Sequence, residues 1–302
     1  MFYKPRTESQ ELAILKSLNN RMNSPEVNQT FYTKNKGFEG ELLFDTWLEK
    51  LECPCLVLND FLFQVNGQFF QIDSLVIVNN RIYVFEVKNF EWDAYYNDKN
   101  FYYKDNPKKE MSNPLLQLER AQSLLRQLLH KIDYSIPLYP SVVFINPEFM
   151  LYQAPLDQPL IFANQLNRFV KNLNSNHSPL GQKHLQLAAK LVSLIETENP
   201  YERLPDFRYE ELRKGICCAG CCSFAVEVKD SNCICTNCNH IEKVEAAVLR
   251  SVKEFKLLFP NEKITTRNIY DWCQIIEPSR KIQRILTKNY TKVGVKKWMY
   301  YE

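Results

Sequence analysis

Absent from this sequence is any apolar run near the ~18 residues that a membrane-spanning helix requires, which excludes that class. Met1–Arg6 leads into a polar amphipathic stretch without a secretory-signal pattern, so the expected location is the cytoplasm. Glycine is scarce, seven in 302 residues, so two placed close together carry information. Net charge is scarce as well, and +3 overall says little about partners. What remains is ordinary for a soluble globular chain: 45% hydrophobic and 24% charged residues, with length for about two domains. The charge is unevenly placed. Residues 241–302 hold 13 Lys and Arg against 7 Asp and Glu, so the basic part is the tail.

The most informative stretch is Gln71–Asn89. It reads as two apolar, β-branched strands, Ile72–Val78 and Ile82–Val87, joined by a tight Asn79–Asn80 turn. Asp73 interrupts the first strand, and Glu86 and Lys88 end the second. Alternation puts Glu86 and Lys88 on one side, and a hairpin turning at Asn79–Asn80 brings residues 73 and 86 opposite each other. Two carboxylates and an ammonium at the end of an oily sheet are costly unless they bind something. Hard oxygen ligands suit Mg²⁺ or Mn²⁺, with the lysine acting on an attacking water or on transition-state charge. The plain alternative is a salt-bridged strand end.

Upstream, residues 8–22 have helical spacing. A polar segment, Asn23–Asn35, leads to a helix starting at Gly37, with Leu43, Trp47 and Leu51 on one side. Glu41 falls in its first turn, where the helix dipole already favours a carboxylate. Gly37 and Gly40 bracket the start of this helix, as close backbone approach would require. Downstream, Asn113 and Pro114 suit the cap and first position of a helix whose stripe runs Leu115, Leu118, Leu125, Leu128, Leu129 and Ile132. Gln117 lies in its first turn, off the stripe. Pro140–Asn146 reads as a further buried strand.

Taken together, Gly37-x-x-Gly40-Glu41, Ile72-Asp73, Glu86-Val-Lys88-Asn89 and Asn113-Pro114-x-x-Gln117 resemble the NERD (nuclease-related) domain of the PD-(D/E)xK nuclease-like superfamily. The resemblance covers roughly residues 34–147. It implies an α/β, restriction-endonuclease-like fold, a mixed sheet flanked by helices, and metal-dependent hydrolysis of a phosphodiester. It implies Glu41, Asp73 and Glu86 as ligands for Mg²⁺ or Mn²⁺, Lys88 as the lysine of the pair, and Gln117 as the glutamine over the site. One departure is the aromatic and charged segment 90–109, where Phe90-Glu91-Trp92 follows in place of a short glycine turn. Its aromatics suit either base stacking or a hairpin packed on the core.

Seven of the ten cysteines, with His240, lie between residues 217 and 240. Cys218-x-x-Cys221 and Cys235-x-x-Cys238 have the spacing of two knuckles sharing a tetrahedral, structural Zn²⁺, with a short β-like run at Phe224–Val228 between them. Cys217, Cys222, Cys233 and His240 are surplus, and Cys222 is a rival to Cys221. After this ribbon, residues 243–259 form an amphipathic helix. Two short helices follow at 264–273 and 278–286, with Thr265 or Thr266 and Ser279 as caps, and then a strand-like end. That order resembles a winged helix-turn-helix. Arg280, Lys281, Arg284, Lys288, Lys292, Lys296 and Lys297 make a basic stripe suited to phosphate.

The expected organisation is a helical segment at 1–33, a nuclease-like domain at 34–200, a zinc ribbon at 209–243 and a helix-turn-helix-like basic domain at 244–302. The expected activity is Mg²⁺-dependent cleavage of DNA. The rival is a non-cleaving nucleic-acid-binding or regulatory protein that keeps the fold.

Overall fold

A computed structural model of the chain describes residues 2–175, 178–197, 199–200, 203–295 and 298–302. It divides into two compact units. One holds Met1–Glu8 and Thr33–Glu202, the other Ser9–Tyr32 and Arg203–Glu302. The chain opens with strand β1 (Phe2–Lys4), helix α1 (Gln10–Arg21) and helix α2 (Pro25–Leu48). The first eight residues thus belong with the sheet unit, and the stretch after them with the other.

Helix α2 corrects the reading of this region. The polar segment 23–35 is mostly helical, and α2 begins at Pro25 rather than Gly37. Gly37, Gly40 and Glu41 therefore sit well inside a 24-residue helix. Its core-facing side near the site is Phe44 and Leu48, while Leu43 is exposed and Trp47 lies at the margin under the Lys50 ammonium. The polar residues after Pro25 have solvent on one side and need no apolar stripe of their own. Single-residue propensities that look like a linker are overridden by the packing of the helix ends.

The sheet unit continues through β2 (Cys55–Val65), β3 (Gln68–Val78), β4 (Arg81–Lys88), β5 (Ala94–Asn97), β6 (Asn100–Tyr103) and β7 (Asn106–Glu110). Helix α3 (Pro114–Lys131) and β8 (Leu138–Phe144) follow, then β9 (Leu151–Tyr152), β10 (Leu160–Phe162), α4 (Leu166–Asn174) and α5 (Gln182–Ser193). The main sheet has the order β1-β2-β3-β4-β8-β10. It is mixed: β2, β3 and β4 form an antiparallel meander, while β1–β2, β4–β8 and β8–β10 are parallel. The parallel β4–β8 pair needs a crossover, and α3 lies within it. Asn113 caps α3 by accepting from the Leu115 N–H at 3.0 Å, and Pro114 fills its first turn.

Both faces of the sheet are covered. Leu115, Leu118, Leu125, Leu128 and Leu129 of α3 pack with Leu187 and Leu191 of α5 on one core. Phe44 and Leu48 of α2 pack with Val76, Phe85, Val87, Leu166 and Val170 on another. Along β4 the side chains alternate between these cores, Ile82 and Val84 in the first, Phe85 and Val87 in the second. The aromatic segment forms the meander β5–β6–β7, with β9 added beside β5. Phe101 of β6 is fully buried while every residue of β7 is exposed, so this meander is packed at its centre and open at one edge.

In the second unit, β11 (Val226–Lys229), β12 (Asn232–Cys235) and β13 (Ile241–Lys243) make a small antiparallel sheet. Helices α6 (Val244–Leu258), α7 (Thr266–Cys273) and α8 (Ser279–Asn289) follow, then a two-stranded pair, β14 (Lys292–Val293) and β15 (Tyr300–Tyr301). Thr265 caps α7 through the Asn268 N–H. Ser279 is not the cap of α8; it is the first helical residue, and Pro278 precedes it without a side-chain bond. Ile14 and Leu18 of α1 share a core with Val248, Phe255, Ile269 and Ile282. Arg21 closes that core: its guanidinium forks onto Glu254 at 2.6 and 2.9 Å and lies 4.0 Å from the Trp272 ring centre.

Candidate active site

The strand pair β2–β3 does not alternate through its whole length. Leu58 and Phe61 are three apart yet share one core, and so are Ile72 and Leu75 opposite them. The ladder pairs Asn59 with Ser74, passes over Asp60 and Asp73, and resumes at Phe61–Ile72. Asp60 takes a left-handed φ of 55°, a conformation that aspartate tolerates better than most residues. The side-chain phase slips there on both strands. Asp73 stands at the slip, 8% exposed, and its Oδ2 accepts the buried N–H of Val87 at 2.8 Å. Residues 73 and 86 thus meet as the hairpin phase predicts, and the carboxylate of Asp73 is bonded into strand β4.

Glu86 and Lys88 end β4, half-buried, and pair with each other at 2.7 Å. Lys88 continues the sheet beside Phe144 of β8, which orders its backbone. Glu41 comes from the opposite direction, on α2. Gly40, its neighbour, shows why a glycine stands there. A Cβ on residue 40 would lie 2.5 Å from the Asn89 Cβ, and Asn89 donates from Nδ2 to the Lys36 carbonyl at 3.0 Å. The missing side chain lets the end of β4 come against α2. No such contact surrounds Gly37, where a Cβ would meet nothing within 4 Å.

The electrostatics are those of crowded acids. Burial, with Asp60, Asp45 and Glu86 nearby, pushes Glu41 up to about 7 against the pull of Arg6. Burial first, then Glu86 and Glu41, holds Asp73 well above the usual carboxylate range. Burial works against the charge on Lys88, yet Glu86 and Asp73 keep its ammonium above the ordinary lysine value. Lys88 is therefore a cation in this site. One buried acceptor nearby, Asn59 Oδ1, has no donor, while the same side chain donates to Asp45 at 3.0 Å. A surplus of hard, oxygen-only donors with raised proton affinities fits a divalent cation of the Mg²⁺ or Mn²⁺ type. The carboxylates stand apart as placed. Among the described residues, the four cysteines considered below are the set of ligand atoms that lie within 4.8 Å of one another.

Gln117 is exposed on the first turn of α3 and donates to Ser112 Oγ at 3.3 Å; it makes no hydrogen bond to Glu41, Asp73, Glu86 or Lys88. Arg6 is the residue that sequence reasoning missed. Its side chain is 1% exposed and pairs with Glu41 at 2.6 Å and Asp45 at 3.1 Å. The signal was faint, one arginine in a short polar lead, with nothing to mark β1 as a strand.

The cysteine register is legible in the geometry. Cys218, Cys221, Cys235 and Cys238 converge, with Sγ–Sγ distances of 3.6 Å for 218–238 and for 221–235. Tetrahedral zinc with Zn–S near 2.3 Å sets sulfurs roughly 3.8 Å apart. The two knuckles repeat one backbone design. Cys222 and Asn239, each just after the second cysteine, have φ of 58° and 60°, and their N–H groups bond back to Cys218 and Cys235, both at 2.9 Å. Asn237 donates to Cys221 Sγ, which lowers that thiol to about 6. The surplus groups have other places. Cys217 lies against Arg250, Cys233 is in the core, and His240 packs over Gly220.

On α8, Arg280, Arg284 and Lys288 repeat every fourth residue and are exposed, so they share a face. Lys288 pairs with Glu245 at 2.9 Å, and Lys281 donates to the Asp230 carbonyl. Arg280, Arg284 and Lys292 have no ion pair among the described residues. Lys296 and Lys297 lie outside the described residues.

The family model of the nuclease-related domain, NERD, matches residues 36–145. That span contains Glu41, Asp73, Glu86, Lys88 and Gln117, and leaves Arg6, the four converging cysteines and the basic tail outside. No curated protein and no solved structure matches the chain. No helix among the described residues is long and apolar enough to cross a membrane.

Proposed function

We propose that this protein is a divalent-metal-dependent nuclease that hydrolyses phosphodiester bonds in DNA. The observation that carries the reading is the meeting of Asp73, Glu86 and Lys88 at one end of β3 and β4, inside the span matched by a nuclease-related domain. Asp73, Glu86 and Glu41 are the residues to hold Mg²⁺ or Mn²⁺. When bound, that ion polarises the phosphate and activates water. Lys88, kept cationic by Glu86 and Asp73, suits neutralising negative charge on a phosphate oxygen better than removing a proton. Gln117 is assigned to the rim, where an exposed amide can meet the substrate backbone. The four cysteines are assigned one structural Zn²⁺, which favours a reducing compartment such as the cytoplasm. The helices and strand β14 after them, with Arg280, Arg284 and Lys292 foremost, are the phosphate-binding surface of a helix-turn-helix-like unit.

Cleavage of plasmid and single-stranded DNA with Mg²⁺ or Mn²⁺, set beside Asp73→Ala and Lys88→Ala, tests this. Loss of cleavage in either folded variant, and with EDTA, is expected. A second reading is a nucleic-acid-binding protein that does not cleave. It draws on the ion pairs already made within the site, Lys88 with Glu86 and Glu41 with Arg6. DNA binding by a wild type that cleaves nothing with either metal is its signature.

A further inference from the structure

The carboxylate site has a component upstream of the matched domain. Arg6 follows β1, and its five bonds all end on two elements. Nε and Nη2 fork onto Asp45 at 3.1 and 3.3 Å, and Nη1 donates to Glu41 Oε2 at 2.6 Å, both acceptors lying on α2. Nη2 also donates to Ser74 Oγ and to the Asp73 carbonyl, each at 2.9 Å, on β3. Strand β1 pairs with β2, and Lys4 donates to the carbonyls of Asn59 and Asp60, which pins the chain just before Arg6 at the point where the ladder breaks.

Glu41 and Asp45 are one helical turn apart on the same face, so a single guanidinium spans both. The Glu41 carboxylate makes no other hydrogen bond among the described residues. Its Oε2 is held by Arg6, and Oε1 has no donor. Gly40 and Asn89 set where the helix stands; what sets the direction of the Glu41 carboxylate is Arg6. We infer that Arg6 is a positioning residue for the divalent-metal site. It aims Glu41 at the end of β3 and ties it to the backbone of Asp73, so that the metal centre is incomplete without the N-terminal strand. This rests on the metal-site reading above.

The chemistry favours arginine over any other cation here. A planar fork can bridge two carboxylates, a hydroxyl and a carbonyl at once, whereas an ammonium offers three donors on a flexible stem. With the guanidinium 1% exposed, its partners are fixed rather than chosen among waters. Groups that orient a ligand in this way typically change metal affinity 10–100-fold when removed.

The test is Mn²⁺ titration calorimetry on the full chain at one pH, for wild type, Arg6→Lys, Glu41→Gln and the double variant, with Asp73→Asn as the site control. Arg6→Lys is expected to weaken Mn²⁺ binding about tenfold in the wild-type background, and to change it little once Glu41 is glutamine. Equal affinity for Arg6→Lys and wild type overturns the assignment. So does an equal loss in both backgrounds, which is what a merely structural role produces. If wild type shows no Mn²⁺ binding that Asp73→Asn removes, the metal-site reading itself fails. Asp45→Asn, which loosens the same fork from its far side, serves in the same cycle if Arg6→Lys does not fold.

Discussion

The Asp73 carboxylate accepts the Val87 N–H at 2.8 Å, so the residue expected to bind metal also closes the gap between β3 and β4. A single side chain therefore joins an observed duty in the strand pair to the one proposed for it in the site, and substitutions separate them.

Asp73→Ala leaves the Val87 N–H buried without an acceptor, which costs about 1–3 kcal/mol. Asp73→Asn keeps an amide oxygen there and removes a carboxyl that burial, Glu86 and Glu41 disfavour as an anion. Metal-free thermal unfolding at pH 8 is expected to place the asparagine variant at or above wild type and the alanine variant below it. Both are expected to lose the metal-dependent cleavage.

The acids also set a pH dependence. Glu41 titrates near 7 and Asp73 well above its usual range, so the folded state keeps protons that the unfolded chain has already released. The stability contributed by these two acids in the metal-free protein is then fully present below the ordinary carboxylate range, ~4 to 4.5, and for Glu41 is lost as pH rises through about 7. Added Mn²⁺ competes with those protons, so its stabilising effect is larger at pH 8 than at pH 6. Melting curves with and without Mn²⁺ across this range measure both slopes. A metal-free stability that climbs from pH 5 to 8 contradicts the assignment.

The cysteine assignment predicts one zinc per chain. Cys218→Ser or Cys238→Ser is expected to release it and to unfold the small β11–β13 sheet, because metal binding supplies folding energy that three short strands lack by themselves. Cys222→Ser leaves the metal in place. Zinc release measured with a chromogenic chelator, with near-ultraviolet dichroism for the fold, distinguishes these outcomes.

For the basic face of α8, replacing Arg280 and Arg284 with alanine is expected to weaken DNA binding at every sequence tested. It should lower the slope of log affinity against log salt by about 2, since each phosphate left without its arginine takes away roughly one unit. Fluorescence anisotropy at several salt concentrations reads this. An unchanged slope locates the nucleic-acid contacts elsewhere on the protein.

Much of this site was readable from short-range pattern. The β3–β4 hairpin follows from two β-branched runs around Asn79–Asn80, and Asn79 indeed takes φ of 51°. The cap at Asn113, the cap at Thr265 and the two cysteine knuckles are local chemistry, and all stand where spacing puts them. The start of α2 and its buried face were misread. Its polar first turns resemble a linker, and the stripe that matters, Phe44 and Leu48, is too short to outweigh Leu43 and Trp47 in the sequence. Gln117 lies in the first turn of α3, as its spacing predicts, and its amide donates to Ser112 Oγ.

The sequence by itself determined the hairpin carrying Asp73, Glu86 and Lys88, the paired cysteine knuckles though not which of Cys221 and Cys222 joins the cluster, and the amphipathic stripe of α3, because each depends on residues within a few turns or one hairpin. Only the tertiary structure decided that Arg6 pairs with Glu41, that the β2–β3 ladder breaks at Asp60 and Asp73, and that Gly40 makes room for Asn89. Those relationships join residues far apart in the chain, 35 positions for Arg6 and Glu41. No local periodicity reports them, since they are settled by which buried charge can reach which partner once both faces of the sheet are packed.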